Sequence, residues 1–330
     1  MHRALYDPER GYYARQIRTV GRRGDFSTSA SLSTALGGAI ASWLREQSEK
    51  QPEVRSIIEI GGGSGDLMRA VRAALGWWKR RRFRFLMVEK STVLREAQEK
   101  ILQGAGMRWA EDMKEALQSC DGKAFIFHNE LIDAFPVDLV EWNADHQRWE
   151  EIWLNKKTGQ WTEERRPLSM SAEEQNAYHA LDWKPPSNGQ RAELGTAARL
   201  WLQDWAPHWK AGAMLIIDYG DDFPRLYHRR PRGTLRAYQA HQLFTGPDLY
   251  ESMGRRDLTA DVNFSDLRRW GDALGWHSTP PQTQREFLQK HLRKFDRRIG
   301  EDRALAFLTD EHGAGTEFKV LEQSPVRVNP

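Results

Sequence analysis

The run Arg55 to Ile60 is almost wholly apolar after its first residues and empties into Gly61, Gly62, Gly63, Ser64, Gly65 and Asp66, ahead of a segment with helical spacing. Strand, glycine turn and helix in direct succession constrain this chain more than any other stretch. The backbone must turn tightly there, and a ligand must approach without meeting a Cβ. The turn also delivers the N-terminus of a helix to that ligand. Glycines stand at 61, 63 and 65, so the spacing is G-x-G-x-G; the dinucleotide pattern requires glycine at 66, where the chain has Asp66. A nicotinamide cofactor is therefore disfavoured.

Glu89 ends the second predicted strand, Phe83 to Val88, and an acid at that place can accept hydrogen bonds from both hydroxyls of a ribose. Turn, helix N-terminus and strand-end acid together point to an adenosine ligand. Glu59 and Asp25 add negative charge that would favour a cationic sulfonium donor, S-adenosylmethionine, over a pyrophosphate. The cofactor-binding candidates are thus Glu59, Gly61, Gly63, Gly65, Glu89 and Asp25.

Beyond this turn the chain alternates strand and helix, the pattern of a parallel sheet covered on both faces. Helices are expected over Ser31 to Lys50, Asp66 to Leu75, Val93 to Leu102 and Lys114 to Gln118, with strands at Met107 and Arg108 and at Ala124 to His128. Residues 137 to 165 read instead as an antiparallel hairpin, and Leu181 to Gln190 as a linker. A helix over Arg191 to Trp205, a strand over Ala213 to Asp218, a helix over Phe264 to Leu274 and a closing strand over Phe318 to Leu321 complete the α/β pattern.

Forty-nine basic residues against 46 acidic ones leave a balance of +3, too even to argue for nucleic acid, and the runs Lys79 to Arg82 and Arg229 to Arg232 read as solvated charge. Cys120 is the single cysteine, so no disulfide or thiolate cluster can form within the chain. His128, His228 and His241 lack the paired spacing of metal ligands, and no metal is expected. Of the 14 tryptophans, Trp142, Trp149, Trp153 and Trp161 crowd one segment, as in the packing of a small sheet. No apolar run is long enough to span a bilayer. The first twenty residues contain Asp7 and Glu9 and no apolar leader, so a cytoplasmic enzyme without signal or transit peptide is expected.

Ligands of open α/β sheets sit beyond the carboxyl ends of the strands. The fourth strand empties there into His128, Asn129, Glu130, Leu131, Ile132 and Asp133, and the fifth into Asp218, Tyr219 and Gly220. Capping a turn needs one such polar residue, and the first segment supplies three: Asn129, Glu130 and Asp133.

With these residues assembled, the chain resembles the MidA family of class I S-adenosylmethionine-dependent methyltransferases. The resemblance rests on Ala4 to Pro8 with Gly11, Tyr12 and Tyr13; Gly24 to Ser29; Glu59 to Gly65; Asn129, Glu130, Asp133, Ala134 and Pro136; Asp218 to Gly220; Gly233 to Leu235; and Asp257 to Thr259. Leu131 and Ile132 depart from it, standing where members usually carry aromatic residues. The resemblance implies a doubly wound, seven-stranded Rossmann-like sheet and transfer of methyl to a nitrogen, the guanidinium of a protein arginine, with a respiratory-complex subunit as an acceptor. Glu130 would then orient that guanidinium, Asp133 would support it, and Asn129 would fix the methionyl or acceptor side.

The layout expected is a cap loop and helix over the cofactor site at 1–50, the first half of the core at 51–136, an inserted hairpin region at 137–190, and the second half at 191–330 with a lid near 220–264. A small-molecule N- or O-methyltransferase on the same fold stays open, as does a non-catalytic assembly factor, because fold and cofactor do not fix the acceptor.

Overall fold

Strand β1, Ser56–Ile60, is buried at every position, as a strand covered on both faces must be. In the computed structural model, which describes residues 1–7, 9–15, 34–104, 106–157, 160–185, 187–239, 242–251, 254–293 and 303–326, β1 pairs in parallel with β2 (Arg84–Val88) and with β4 (Ala124–Asn129). Asp25, the stretch Gly24 to Ser29 and His241 lie outside the described residues. The chain divides into two compact units, one of Met1–Gln16, Ile132–Leu202 and Gly220–Trp270, the other of Ile17–Leu131, Gln203–Tyr219 and Gly271–Pro330.

The second unit holds the main sheet. With β3 (Met107–Ala110), β5 (Met214–Asp221), β6 (Trp276–Ser278) and β7 (Phe318–Pro325), its principal strands run in the order β6-β7-β5-β4-β1-β2-β3. Strands β1 to β5 are parallel, and β7 is antiparallel to β5. The last two residues of β5 belong to the other unit, where Gly220 and Asp221 pair with Val262 and Asn263. The expected doubly wound, Rossmann-like α/β sheet is thus present, and β1 is an interior strand between β4 and β2.

Helix α1 (Thr34–Lys50) buries Leu36, Ile40, Trp43 and Leu44, which recur every three to four residues along one face. It packs on α2 (Asp66–Arg80), and the Trp43 indole donates to Glu322 Oε2 of β7 at 2.9 Å. Helix α3 (Thr92–Ile101) is started by Ser91, whose hydroxyl accepts the Leu94 amide at 3.3 Å, a cap of the kind that satisfies an otherwise orphaned first-turn N–H.

The first unit is largely antiparallel. Residues Asp138–Asn143, Arg148–Lys157, Gln160–Pro167 and Arg191–Leu194 form a four-stranded sheet in which the expected hairpin is the middle pair. Trp142 faces Trp149 across that pair, with ring centroids 5.6 Å apart, while Trp153 is exposed. The helix expected from Arg191 begins only at Thr196: Ala192 and Leu194 are buried, and Arg191–Leu194 pairs with Asp138–Glu141, so a strand partner overrides the local helical pattern. Within 220–264 the chain builds a three-stranded sheet of Arg236–Gln239, Gln242–Phe244 and Asp257–Thr259.

Candidate active site

The three glycines singled out by spacing are the three residues of the turn with positive φ: +62° at Gly61, +52° at Gly63 and +89° at Gly65. A side chain at any of them would be held in the left-handed region that only glycine adopts without strain. Gly62 is demanded for a different reason, since a Cβ there would lie 2.5 Å from Met87 Cε and 2.9 Å from Glu59 Oε1. The turn is pinned by Gly61 N donating to Val88 O at 3.0 Å and Gly65 N donating to Gly62 O at 2.8 Å. Gly65 is the N-cap of α2 and brings no capping side chain.

Glu59 lies beneath this turn, 1% exposed, and accepts the Met68 amide. Burial pushes its carboxyl up to about 8, Glu89 and Asp66 push the same way, and the Met68 amide opposes them. Its Oε2 is buried and has no hydrogen-bond partner among the described residues. A cation placed over the turn would draw the ionised form of this group.

Glu89 follows β2. Its Oε1 accepts the Ser91 amide at 2.8 Å and its Oε2 accepts Gln98 Nε2 at 3.3 Å. Burial raises its pKa against the Ser91 and Lys90 amides and Gln98. Gln98, fully buried on α3, also donates to Gly63 O at 2.9 Å and accepts the Trp109 indole at 3.0 Å. One amide side chain thereby fixes both the turn and Glu89. Sequence reasoning missed it, although Gln98 stands four residues from both Leu94 and Leu102 and so shares their face of the helix.

At the end of β4, Glu130 adopts φ +51°, rare for a residue with a side chain, and its amide donates to Ile217 O at 2.9 Å. Its Oε1 accepts Asn129 Nδ2 at 3.0 Å and its Oε2 accepts the Tyr219 hydroxyl at 3.1 Å. Asn129 Oδ1 is buried without a hydrogen-bond partner among the described residues. Asp218, fully buried, holds the Tyr219 amide at 2.9 Å and the Leu131 amide at 3.3 Å. Leu131 reaches back over the turn: a Cβ on Gly61 would stand 2.8 Å from its Cδ1. Glu59, Gly61, Gly63, Gly65, Glu89, Asn129 and Glu130 therefore gather at the carboxyl ends of neighbouring strands in one unit.

Asp133 belongs to the other unit. There it accepts the Thr259 hydroxyl at 2.8 Å, and its carbonyl accepts the Ala260 amide at 3.1 Å. Burial, with help from Asp261, pushes its carboxyl up to about 6, while Thr259, Arg236 and the Ala134 amide pull it down. Tyr6 donates to Ala134 O at 3.0 Å beside it. The stretch Gly233 to Leu235 also has a partner that spacing did not reveal: the buried carboxylate of Glu193 accepts the Thr234 amide at 2.7 Å, its hydroxyl at 3.0 Å and the Leu235 amide at 3.0 Å. These motif residues hold a buried acid in place.

The residues at the turn suit S-adenosyl-L-methionine: a glycine cradle, a carboxylate, Glu89, already oriented by Ser91 and Gln98, and an unpartnered buried carboxyl oxygen of Glu59 beneath the turn. Comparison with known proteins agrees. The chain is similar over 98% of its length, at 27% identity, to the mitochondrial protein arginine methyltransferase NDUFAF7 homolog of Drosophila melanogaster, covering 80% of that protein. It is 27% identical to the mitochondrial protein arginine methyltransferase NDUFAF7 of Mus musculus, over 95% of the chain and 72% of that protein. A crystal structure of a Burkholderia thailandensis protein bound to S-adenosyl-homocysteine superposes with a TM-score of 0.84 at 25% identity, covering all of this chain and 87% of that one. The expected cytoplasmic location is overturned by the curated relatives, which are mitochondrial proteins; it had rested only on the composition of the first twenty residues. Among the described residues no helix is long and apolar enough to cross a membrane. The profile of S-adenosyl-L-methionine-dependent methyltransferases matches residues 35–282, and the chain belongs to that family.

Proposed function

We propose that this methyltransferase acts on a nitrogen of an arginine side chain in a protein. The observation that carries the reading is the carboxylate of Glu130, held at a left-handed backbone position by donors from both of its flanks, Asn129 and Tyr219. A guanidinium is a planar fork that pairs in bidentate fashion with such a carboxylate, and the named activity of the relatives supports the same acceptor. A respiratory-complex subunit is the acceptor that the family resemblance implies.

S-adenosyl-L-methionine, when bound, supplies an electrophilic methyl on a sulfonium. In this reading the turn at Gly61, Gly63 and Gly65 admits its backbone-facing side, and Glu89, pre-set by Ser91 and Gln98, takes the ribose hydroxyls. Asn129 contributes its buried amide oxygen to the methionyl or acceptor side. Glu130 would orient the guanidinium with one nitrogen toward the donor's methyl and would take the proton that nitrogen gives up on methylation, the donor leaving as its neutral thioether. Alignment of this kind supplies much of the rate in a direct displacement. The supporting role expected of Asp133 rests on the family resemblance; its carboxylate accepts the Thr259 hydroxyl within its own unit.

Incubation of a mitochondrial extract with methyl-labelled S-adenosyl-L-methionine and the enzyme, followed by mass-spectrometric mapping, tests this. Label on an arginine of a protein is the expected result; label confined to small molecules or to other residues refutes it.

A further inference from the structure

Outside the candidate active site, an open trough of about 720 Å³ runs beside α2. Arg69, Arg72, Arg80 and Arg81 line it together with Trp77 and Ile101, and none of the described side chains lining it is acidic. Two of its arginines have an ordinary explanation, since basic groups at the C-terminal turn of a helix offset its negative end, and Arg80 and Arg81 sit there. Arg69 pairs with Asp66 at 2.5 Å, and Arg72 lies in the second turn, away from that negative end.

The helix also breaks just before Trp77. Gly76 takes φ +77° and ψ 163° inside α2, and open space surrounds the position of its missing Cβ. Beyond that break Trp77 is 46% exposed, and the Arg81 guanidinium stacks over its ring at 3.7 Å. Ile101, 37% exposed, adds a second apolar contact. Arg72 is buried, with its guanidinium 4.3 Å above the Phe85 ring. Burial and the neighbouring Arg80 lower its pKa, a cost that a bound anion would relieve.

We infer that this trough docks an acidic segment of a partner protein, carboxylates on the arginines and an apolar side chain on Trp77 and Ile101. The guanidinium fork matches carboxylate geometry, and the interleaved apolar groups give such a segment register. Phosphate-rich chains fit less well. Anion sites for phosphate are typically built on the bare amides of helix N-termini, whereas neither Gly65 to Met68 of α2 nor Ser91 to Leu94 of α3 lines this trough.

Fluorescence anisotropy with a labelled peptide of alternating glutamate and leucine, and with a labelled twelve-nucleotide oligouridylate, tests the assignment without reference to methyl transfer. The wild-type chain should bind the peptide, more weakly by several-fold when salt rises from low to physiological levels. The double variant Arg80→Glu with Arg81→Glu should lose about tenfold in affinity, as reversal of two contact charges implies. Trp77→Ala should lose affinity while keeping the salt dependence, and Arg225→Glu, at a side chain 81% exposed elsewhere, should change nothing. Unaltered binding of S-adenosyl-homocysteine establishes that the variants are folded. Absence of peptide binding, equal binding by the double variant, or tighter binding of the oligouridylate than of the peptide each overturns the inference.

Discussion

The Tyr219 hydroxyl donates to Glu130 Oε2 at 3.1 Å, tying the carboxyl end of β5 to the residue that follows β4. The same ring lies 4.0 Å from Phe318, so its position does not depend on the hydrogen bond. Tyr219→Phe should therefore leave the fold intact and release one side of the Glu130 carboxylate. A hydrogen bond to a charged group is worth about 1.5–3 kcal/mol, so kcat should fall about tenfold or more, with little change in KM for S-adenosyl-L-methionine. Steady-state kinetics separate this from a purely structural role, which would raise KM for the donor as well.

Glu130→Gln keeps the size of the side chain and removes its charge. In our reading it retains the donor and loses most turnover, and titration with S-adenosyl-homocysteine alongside a rate measurement checks both halves. Unchanged turnover in this variant would remove Glu130 from its assigned role.

Gln98 makes three hydrogen bonds from full burial, to Gly63, Glu89 and Trp109. Gln98→Leu leaves those groups without it, at a cost of about 1–3 kcal/mol per unsatisfied group. A lower urea midpoint and weaker binding of S-adenosyl-homocysteine should appear together. A loss of stability with unchanged affinity would mean that the residue supports the fold and not the cofactor turn.

How legible such parts were depended on whether the constraint was local. Backbone geometry at Gly61, Gly63 and Gly65 restricts which residues can stand there, so the turn could be read directly, and the end of a strand announced Glu89. The parallel sheet followed from apolar runs such as Ile216 and Ile217, buried whichever face they point to. Gln98 was hidden because a polar residue on a helix reads as solvated unless its partners are known. Arg191–Leu194 misled because its strand partner, Asp138–Asn143, lies far away in sequence. Asp133 stands four residues beyond Asn129, yet its hydrogen bond runs to Thr259, and no periodicity carries that information. The Glu193 cradle formed by Thr234 and Leu235 was illegible for the same reason.

Glu59 predicts a pH dependence of stability. Its carboxyl is raised from 4.5 to about 8 in the folded chain, so folding favours the protonated form. The resulting stabilisation is full below the unfolded value and is lost as pH rises through the folded one, an effect on the order of a few kcal/mol. Glu59→Gln holds the neutral shape at every pH. Its stability relative to wild type should rise between pH 5 and pH 8.5, measured by urea unfolding; a constant difference across that range contradicts the assignment.

A crystal of the chain grown with S-adenosyl-homocysteine addresses the central claim most directly. The account predicts the ribose hydroxyls on Glu89 and the ligand backbone against Gly61, Gly63 and Gly65, with its homocysteine end toward Asn129 and Glu130. Ligand bound elsewhere on the chain, or with its ribose away from Glu89, would contradict it.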